Sequence, residues 1–429
     1  MLQPEITGLL VLAVCVVLFL TKWIPAAATG ILGCLLMVLL DVSSFEQVFS
    51  GFSNSIVLLM ASAMVVGIAM FKTGAAQLLG RLAIRLAKGS ERRFLLLSCT
   101  LTGILAMFLA NTALIAAFLP IIDSVCRISP QMKRRNHVLP IALAAMFGGA
   151  STLIGTTPQL TANAILSKMG GMEMGMWELT GPGLSTLALS LIFLYFVGFR
   201  DGIRIWGGRE EVELCTDSDS KAFREMTFDK KKLFRMLVIV VLMTLSYVFS
   251  FLPTAMTAMV AAMLCLLAGL CSTEDIVRQL HWESVIFLAA CLGLANALTD
   301  SGAGDLIGRA VIGTLGEMNS PLVSYVVLVL LTLLISQFIT NSTAIIIVLP
   351  IALSMCETYG YNPMAFTVGI TQAASYAALT PLAASQIAMT EVAGYDFADY
   401  YKYGWKLTLV ACLSIILLTP RFFPLQLPL

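Results

Sequence analysis

The sequence predicts an all-α polytopic membrane protein made of two inverted repeats, with about ten transmembrane helices and two re-entrant hairpins. Three observations predict it. The 429 residues are 59% hydrophobic and 12% charged, whereas soluble domains carry about 25% charged residues. Two long apolar stretches, 94–126 and 321–356, are each interrupted by a polar triplet, Ala110-Asn111-Thr112 and Thr340-Asn341-Ser342. In both, a proline follows the asparagine at nine residues, within Leu119-Pro120-Ile121 and Leu349-Pro350-Ile351. Finally, the chain matches itself at an offset of about 228. Pro25 pairs with Pro253, Glu46 with Glu274, Gly74 with Gly302, and Gly80-Arg81 with Gly308-Arg309, while Asn111/Asn341 and Pro120/Pro350 sit at an offset of 230.

A membrane-crossing helix needs roughly 20 apolar residues. In chain order, spans are predicted at 6–22, 24–42, 55–72, 137–168 (broken), 178–198, 236–252, 254–271, 284–299, 363–390 (broken) and 406–420. The first lacks a basic leading region and a small-residue cleavage site, so it reads as a span and not as a removable signal. Segments 75–90 and 303–316 follow matched spans. In the first, Leu78, Leu79, Leu82 and Leu86 oppose Arg81, Arg85 and Lys88, the pattern of an interfacial helix. The stretches 94–126 and 321–356 enter and return, because non-helical backbone at membrane depth is tolerated only against protein or a watery cavity.

Lys and Arg set the orientation. Threading the spans puts 23 of the 26 basic residues in the cytoplasm and leaves Lys168, Arg309 and Arg421 outside. Both termini are then external. The second copy starts on the opposite side from the first, so the repeats are inverted about an axis in the membrane plane. Residues 199–235 form a cytoplasmic connector whose Asp217-Ser218-Asp219-Ser220 stretch reads as a loop. The ten cysteines show no paired spacing and read as buried thiols. His137 and His281 lie at segment ends and form no metal cluster, and a net charge of +1 gives no reason to expect a nucleic acid.

Each copy offers two breaks. One is the hairpin tip. The other splits a span, at Gly149-Ala150-Ser151-Thr152-Leu153-Ile154-Gly155-Thr156-Thr157-Pro158-Gln159 and from Ala374-Ser375-Tyr376 to Thr380-Pro381-Leu382-Ala383-Ala384-Ser385-Gln386. A broken helix frees N–H groups at one new end and C=O groups at the other. The N–H ends suit an anion, and the C=O ends, with hydroxyls and amides, suit a cation such as Na⁺. No Lys or Arg lies in any break. An anion would therefore be held by the Asn111 and Asn341 amides, the Thr112 and Ser342 hydroxyls and helix ends, and a co-bound cation would neutralise it. Two facing half-sites suit a ligand with two anionic ends. Each element also has a purely structural reading. Polar residues in membrane helices often serve as interhelical glue, as Gln159 and Gln386 could. Gly148-Gly149 and Gly155 could simply permit close packing, and Asp123 reads as a solvated hairpin end.

At these residues the chain resembles the divalent anion:sodium symporter family, within the wider ion-transporter superfamily that includes arsenite and citrate permeases. The family's tips carry Ser-Asn-Thr. Here they read Ala110-Asn111-Thr112 and Thr340-Asn341-Ser342, so Ala110 removes one side-chain oxygen. Gly-Thr-Thr-Pro-Gln at 155–159 stands where the family has a Pro-Pro-Asn type of ending, and the second break lacks that Pro-Pro pair. An extra N-terminal span known from the family is not evident. The resemblance implies substrate contacts at Asn111, Thr112, Thr157, Pro158, Asn341, Ser342, Ala384 and Ser385. It implies one sodium set at Ala106, Ala110, Asn111 and Gly155, and another at Ser336, Ile339, Asn341 and Ala383. It also implies a homodimer in the inner membrane, with an elevator motion. Residues 93–198 and 321–429 would be the transport regions and 1–92 and 236–320 the scaffold. The expected activity is sodium-coupled symport of a di- or tricarboxylate or other small divalent anion. Oxyanion efflux, or exchange without sodium, is the alternative. A Na⁺/H⁺ antiporter would need an intramembrane Asp or Glu, an enzyme a nucleophile–base pair or metal cluster, and a channel a charged ring. The breaks supply none of these.

Overall fold

The computed structural model describes residues 4–21, 23–74, 87, 90–112, 114, 115, 118, 119, 122, 126, 132–208, 229–249, 251–280, 282–301, 320–380 and 384–426. Eighteen α-helices are named in chain order. They are α1 (Pro4–Thr21), α2 (Ala26–Leu39), α3 (Phe45–Phe49), α4 (Ser55–Lys72), α5 (Glu91–Ala106), α6 (Arg135–Gly149), α7 (Thr157–Met169), α8 (Thr180–Phe193) and α9 (Phe199–Trp206). The second half holds α10 (Lys230–Phe249), α11 (Thr254–Leu267), α12 (Thr273–Gln279), α13 (Trp282–Asp300), α14 (Pro321–Ile335), α15 (Asn341–Tyr359), α16 (Pro363–Ser375), α17 (Ser385–Ala388) and α18 (Phe397–Phe422). Among the described residues there is no β-strand, only an isolated bridge between Tyr361 and Gln426.

Local rules recur between the halves. Helices α2 and α11 both have 14 residues and both follow a proline in the extended region, Pro25 (φ −54, ψ 147) and Pro253 (φ −52, ψ 146). Both end alike. The Val42 amide donates to Met37 O at 2.9 Å and the Leu270 amide to Cys265 O at 3.0 Å, the long closing bond of a Schellman turn. The left-handed residue in that turn is Gly269 (φ 67) in one case and Asp41 (φ 52) in the other, Asp being one of the few side chains that tolerates this conformation. Capping boxes Ser44/Gln47 and Ser272/Asp275 then start α3 and α12, each satisfying two N–H groups that the helix leaves free.

Every predicted span contains a helix, but lengths differ. Four described segments are both long and apolar enough to cross a membrane: Phe45–Met70, Thr180–Trp206, Asn341–Tyr359 and Phe397–Phe422. Fourteen residues of α2 or α11 rise only about 21 Å against a hydrocarbon core of about 30 Å. The span expected at 178–198 runs on to Trp206 through a π-helical turn at Leu194–Gly198, and the next begins at Lys230 and not at 236. Hydropathy falls at Arg200 and Asp201, but the helix continues because it keeps a packed face. Trp206 is fully buried with its ring 5.1 Å from Tyr395 and 4.9 Å from Tyr403, and Asp201 pairs with Lys406 at 2.7 Å. The predicted interfacial helices at 75–90 and 303–316, and the loop at Asp217–Ser220, lie outside the described residues apart from Ala87 and Ser90, as do Pro120, Asp123, His281 and Ala383.

The helices pack in two groups. In one, α2 lies on α1 and α13, and α11 on α4 and α10. In the other, α5 lies on α6, α8 on α6 and α18, and α16 on α14, α15, α18 and α7. Helix α7 also meets α13 and α4, so a broken span runs along the seam between the groups. Small residues make the closest approaches. A Cβ on Gly148 would fall 1.9 Å from Gly103 O, so α5 and α6 touch backbone to backbone, as bundles in lipid often do.

Candidate functional site

The first tip follows α5. Backbone bonds from Phe108 and Leu109 to Leu105 O close its last turn, Ala110 leaves the helical path, and Asn111 and Thr112 restart it. At the second tip, Gln337 and Phe338 bond to Leu334 O and Ile335 O. Thr340 (ψ 145) then breaks the helix and caps α15, its hydroxyl accepting from the Thr343 amide at 3.3 Å. Both expected helix interruptions are therefore present. The split spans are present too. Helix α6 ends at Gly149 and α7 starts at Thr157 after a fully extended Thr156 (φ −147, ψ 163), while α16 ends at Ser375 and α17 starts at Ser385.

Hydrogen bonds join all four breaks in one series. At the first tip, Met107 O accepts from the Thr152 hydroxyl of the first split span. At the second tip, Gln337 O accepts from the Thr380 hydroxyl of the second split span. Gln337 also uses its side chain there, Oε1 accepting from the Leu379 amide at 3.0 Å. The two split spans are then linked to each other, Gln159 Nε2 donating to Ser375 Oγ at 3.1 Å. The non-helical backbone of the first break is satisfied from α8 and the loop before it. The Leu153 amide donates to Met176 O at 3.3 Å and Thr180 Oγ1 to Ser151 O at 2.8 Å.

Asn111 is 5% exposed, and neither its Nδ2 nor its Oδ1 has a hydrogen-bond partner; the Oδ1 of half-buried Asn341 is likewise unpartnered. Leaving a buried amide unpaired costs about 1–3 kcal/mol per group, and both of these amides stand at a helix interruption. Asn111 lies directly over Gly149. A Cβ on Gly149 would come within 2.8 Å of Oδ1 and 2.9 Å of Nδ2, and within 2.9 Å of Thr156 Cγ2. Gly155 is pressed the other way, its Cβ position 2.0 Å from Gly149 O. Thus Asn111 of the first tip meets Gly149 and Thr156 of the first split span, beside Gly155, while at the second tip Gln337 meets Leu379 and Thr380 of the second split span and Ser336 lies against Ala373 O. Ser336 is fully buried and its hydroxyl donates to Leu333 O at 3.0 Å, leaving its oxygen able to accept. Ser342 is buried, Thr112 and Thr157 are half-buried, and Ala110 is exposed at its tip. Among the described residues, no group of three or more His, Cys, Asp or Glu side chains could hold a metal.

Reading the sequence placed Thr152, Ser375 and Thr380 in the breaks without giving them a role, and passed over Gln337. A signal was available: Thr152 and Thr380 lie 228 apart, and Trp177-Glu178-Leu179-Thr180 repeats at the same offset as Trp405-Lys406-Leu407-Thr408. A cavity of about 370 Å³ lies elsewhere, between Gly175–Glu178, Tyr247 at the end of α10, and Leu252 and Thr254 at the start of α11. It borders the site through Met176, whose carbonyl holds the Leu153 amide, and through Trp177, whose ring lies 6.4 Å from that of Phe108.

Apolar helices interrupted by linked polar breaks, with amides left free at their tips, define a multi-pass membrane transport protein. The chain belongs to the citrate transporter family: the family profile CitMHS matches residues 16–371. The resemblance to divalent anion:sodium symporters is borne out with it. The sodium-dependent dicarboxylate transporter SdcS of Staphylococcus aureus (strain USA300) is 24% identical over 443 aligned positions, covering 95% of this chain and 84% of that protein. An uncharacterised transporter of Synechocystis, sll0640, is 30% identical over 186 residues, 43% of this chain and 30% of that protein's length. Among solved structures, Neisseria gonorrhoeae MtrF, from a class of antimetabolite efflux pumps, superposes with a TM-score of 0.65 at 14% identity, covering 92% of this chain and 85% of that one. The YdaH transporter of Alcanivorax borkumensis gives 0.57 at 15%, covering 87% and 86%. At those identities the likeness is one of fold.

Proposed function

We propose that the protein is a secondary active transporter that couples sodium to the symport of a small di- or tricarboxylate, or another divalent anion. The observation that carries this reading is the pair of unpartnered tip amides, Asn111 and Asn341, in two clusters joined by hydrogen bonds. An amide N–H offers a donor to a carboxylate, and an amide oxygen offers a ligand to Na⁺. One side chain can thus serve both solutes. Asn111, Thr112, Thr157, Pro158, Asn341, Ser342, Ala384 and Ser385 would contact the anion. Ala106, Ala110, Asn111 and Gly155, and Ser336, Ile339, Asn341 and Ala383, would supply the two sodium sets, largely through main-chain oxygens. The SdcS relative, named a sodium-dependent dicarboxylate transporter, supports the same choice.

The proposed mechanism is an elevator in an inner-membrane homodimer with external termini. Residues 93–198 and 321–429, related as inverted repeats, move against a scaffold of 1–92 and 236–320, with 199–235 as connector. Helix starts at α2/α11, α6/α16 and α7/α17, all 228 residues apart, support the repeat. Ala110 supports a second reading, sodium-independent exchange or oxyanion transport, because its methyl adds no oxygen to the first cation set.

Purified protein in proteoliposomes is expected to take up labelled succinate, citrate or sulfate under an inward sodium gradient and to lose most of that uptake when choline replaces sodium. Uptake of an anion at equal rates in both media would replace symport by exchange. No uptake of any anion would reject the reading.

A further inference from the structure

We propose that Gln159 is a positioning residue that couples the two halves of the site, so that occupancy of one changes the affinity of the other. The inference rests on the transport reading above and adds the element that transmits between its half-sites.

Gln159 is fully buried, and both polar atoms of its amide are engaged by protein. Its Oε1 accepts from the Thr156 hydroxyl and its Nε2 donates to Ser375 Oγ at 3.1 Å. Ser375 in turn donates to Thr371 O at 2.8 Å, inside α16. Gln159 is therefore not a ligand group, unlike Asn111, whose amide is free. At one end it reaches the first half-site. Thr156 and the Asn111 amide flank the same face of Gly149, each within 2.9 Å of where a Cβ would stand, which sets the Thr156 end of the route beside the Asn111 amide. At the other end it reaches Ser375, the last residue of α16, whose free carbonyl end forms the second break. Thr156–Gln159–Ser375 is a hydrogen-bonded side-chain route between the two broken spans, beside the ring contact of Phe147 with Tyr376 at 4.8 Å. A glutamine there is long enough to bridge, and its amide presents a donating NH2 on one side and an accepting oxygen on the other, which fixes its orientation in the series. Replacement by an apolar side chain of equal length keeps the volume and cuts the route.

The test uses full-length purified protein, with succinate and citrate as probes in NaCl or choline chloride. The readout is the ratio of anion dissociation constants without and with sodium, followed by calorimetry, together with the unfolding temperature of the ligand-free protein. Coupling between sites is typically about 5–150-fold. The wild type is expected to fall in that range, whereas Gln159→Met and Ser375→Ala each lower the ratio by about threefold or more, leaving the part that Asn111 and Asn341 carry within their own half-sites. The double variant should lose no more than either single one, because both cut one route. A residue that only held the fold would lower the unfolding temperature without moving this ratio. Unchanged ratios in folded Gln159→Met and Ser375→Ala, or losses that add in the double variant, overturn the inference. Ser375→Ala removes a single hydroxyl and decides the matter if Gln159→Met does not fold. Wild-type protein that binds no anion in either salt would sink the transport reading itself, a result distinct from an intact wild type with unaltered variants.

Discussion

Asn111→Ala is expected to abolish sodium-dependent anion uptake while leaving the ligand-free protein at least as stable as the wild type. The two effects have opposite signs because the Asn111 amide contributes nothing to the resting fold. Both of its polar atoms are buried without partners, and deleting a desolvated, unpaired amide relieves a cost of about 1–3 kcal/mol per group. A bound carboxylate would turn that cost into charge-assisted bonds worth about 1.5–3 kcal/mol each, so losing one weakens binding roughly 10- to 150-fold. Asn341→Ala should behave alike, with a smaller change in stability because Asn341 is only half-buried. Uptake in proteoliposomes and unfolding of the ligand-free protein measure the two effects on the same preparation. An Asn111→Ala protein that is markedly less stable yet binds anions normally would make this residue ordinary packing.

Gly155→Ala is expected to cost more than any other single methyl in the site. The added carbon would stand 2.0 Å from Gly149 O, a backbone atom that has no rotamer to yield. Relief requires the end of α6 to move away from the turn before α7, and Asn111 rests on that end. Overpacking generally costs about 1–3 kcal/mol when side chains can adjust, so a clash with main chain belongs at or above the top of that range. Both the unfolding temperature and anion binding should fall. Gly67→Ala in α4 is the control. Nothing lies within 4 Å of its Cβ position, and alanine favours a helix by up to about 1 kcal/mol, so it should be neutral or stabilising in the same assays.

The positions of the breaks were legible because membrane depth makes polar residues expensive. Asn111 and Asn341 stand out in apolar runs, and their shared spacing to a proline doubles the signal. Helix starts were equally legible where proline fixes them, as at Pro25 and Pro253, whereas the short capped helices after Ser44 and Ser272 went unread. The end of the 180–206 rod was not, because hydropathy reports the lipid-facing surface, whereas Trp206 is held by Tyr395 and Tyr403 from a distant part of the chain. The Gln159–Ser375 bond was invisible for the same reason. Either residue alone reads as generic interhelical glue, and only the fold brings positions 216 apart into one bond. The Thr152 and Thr380 hydroxyls were overlooked because threonine in a loop carries no compositional contrast.

The four breaks contain no Asp, Glu, Lys, Arg or His. Amides and hydroxyls keep their charge state from about pH 4 to pH 9. The acidity of the medium therefore acts on the cargo and not on the cradle. Uptake plotted against pH should follow the titration of the solute itself, and the limb on which it declines reports which protonation form is carried.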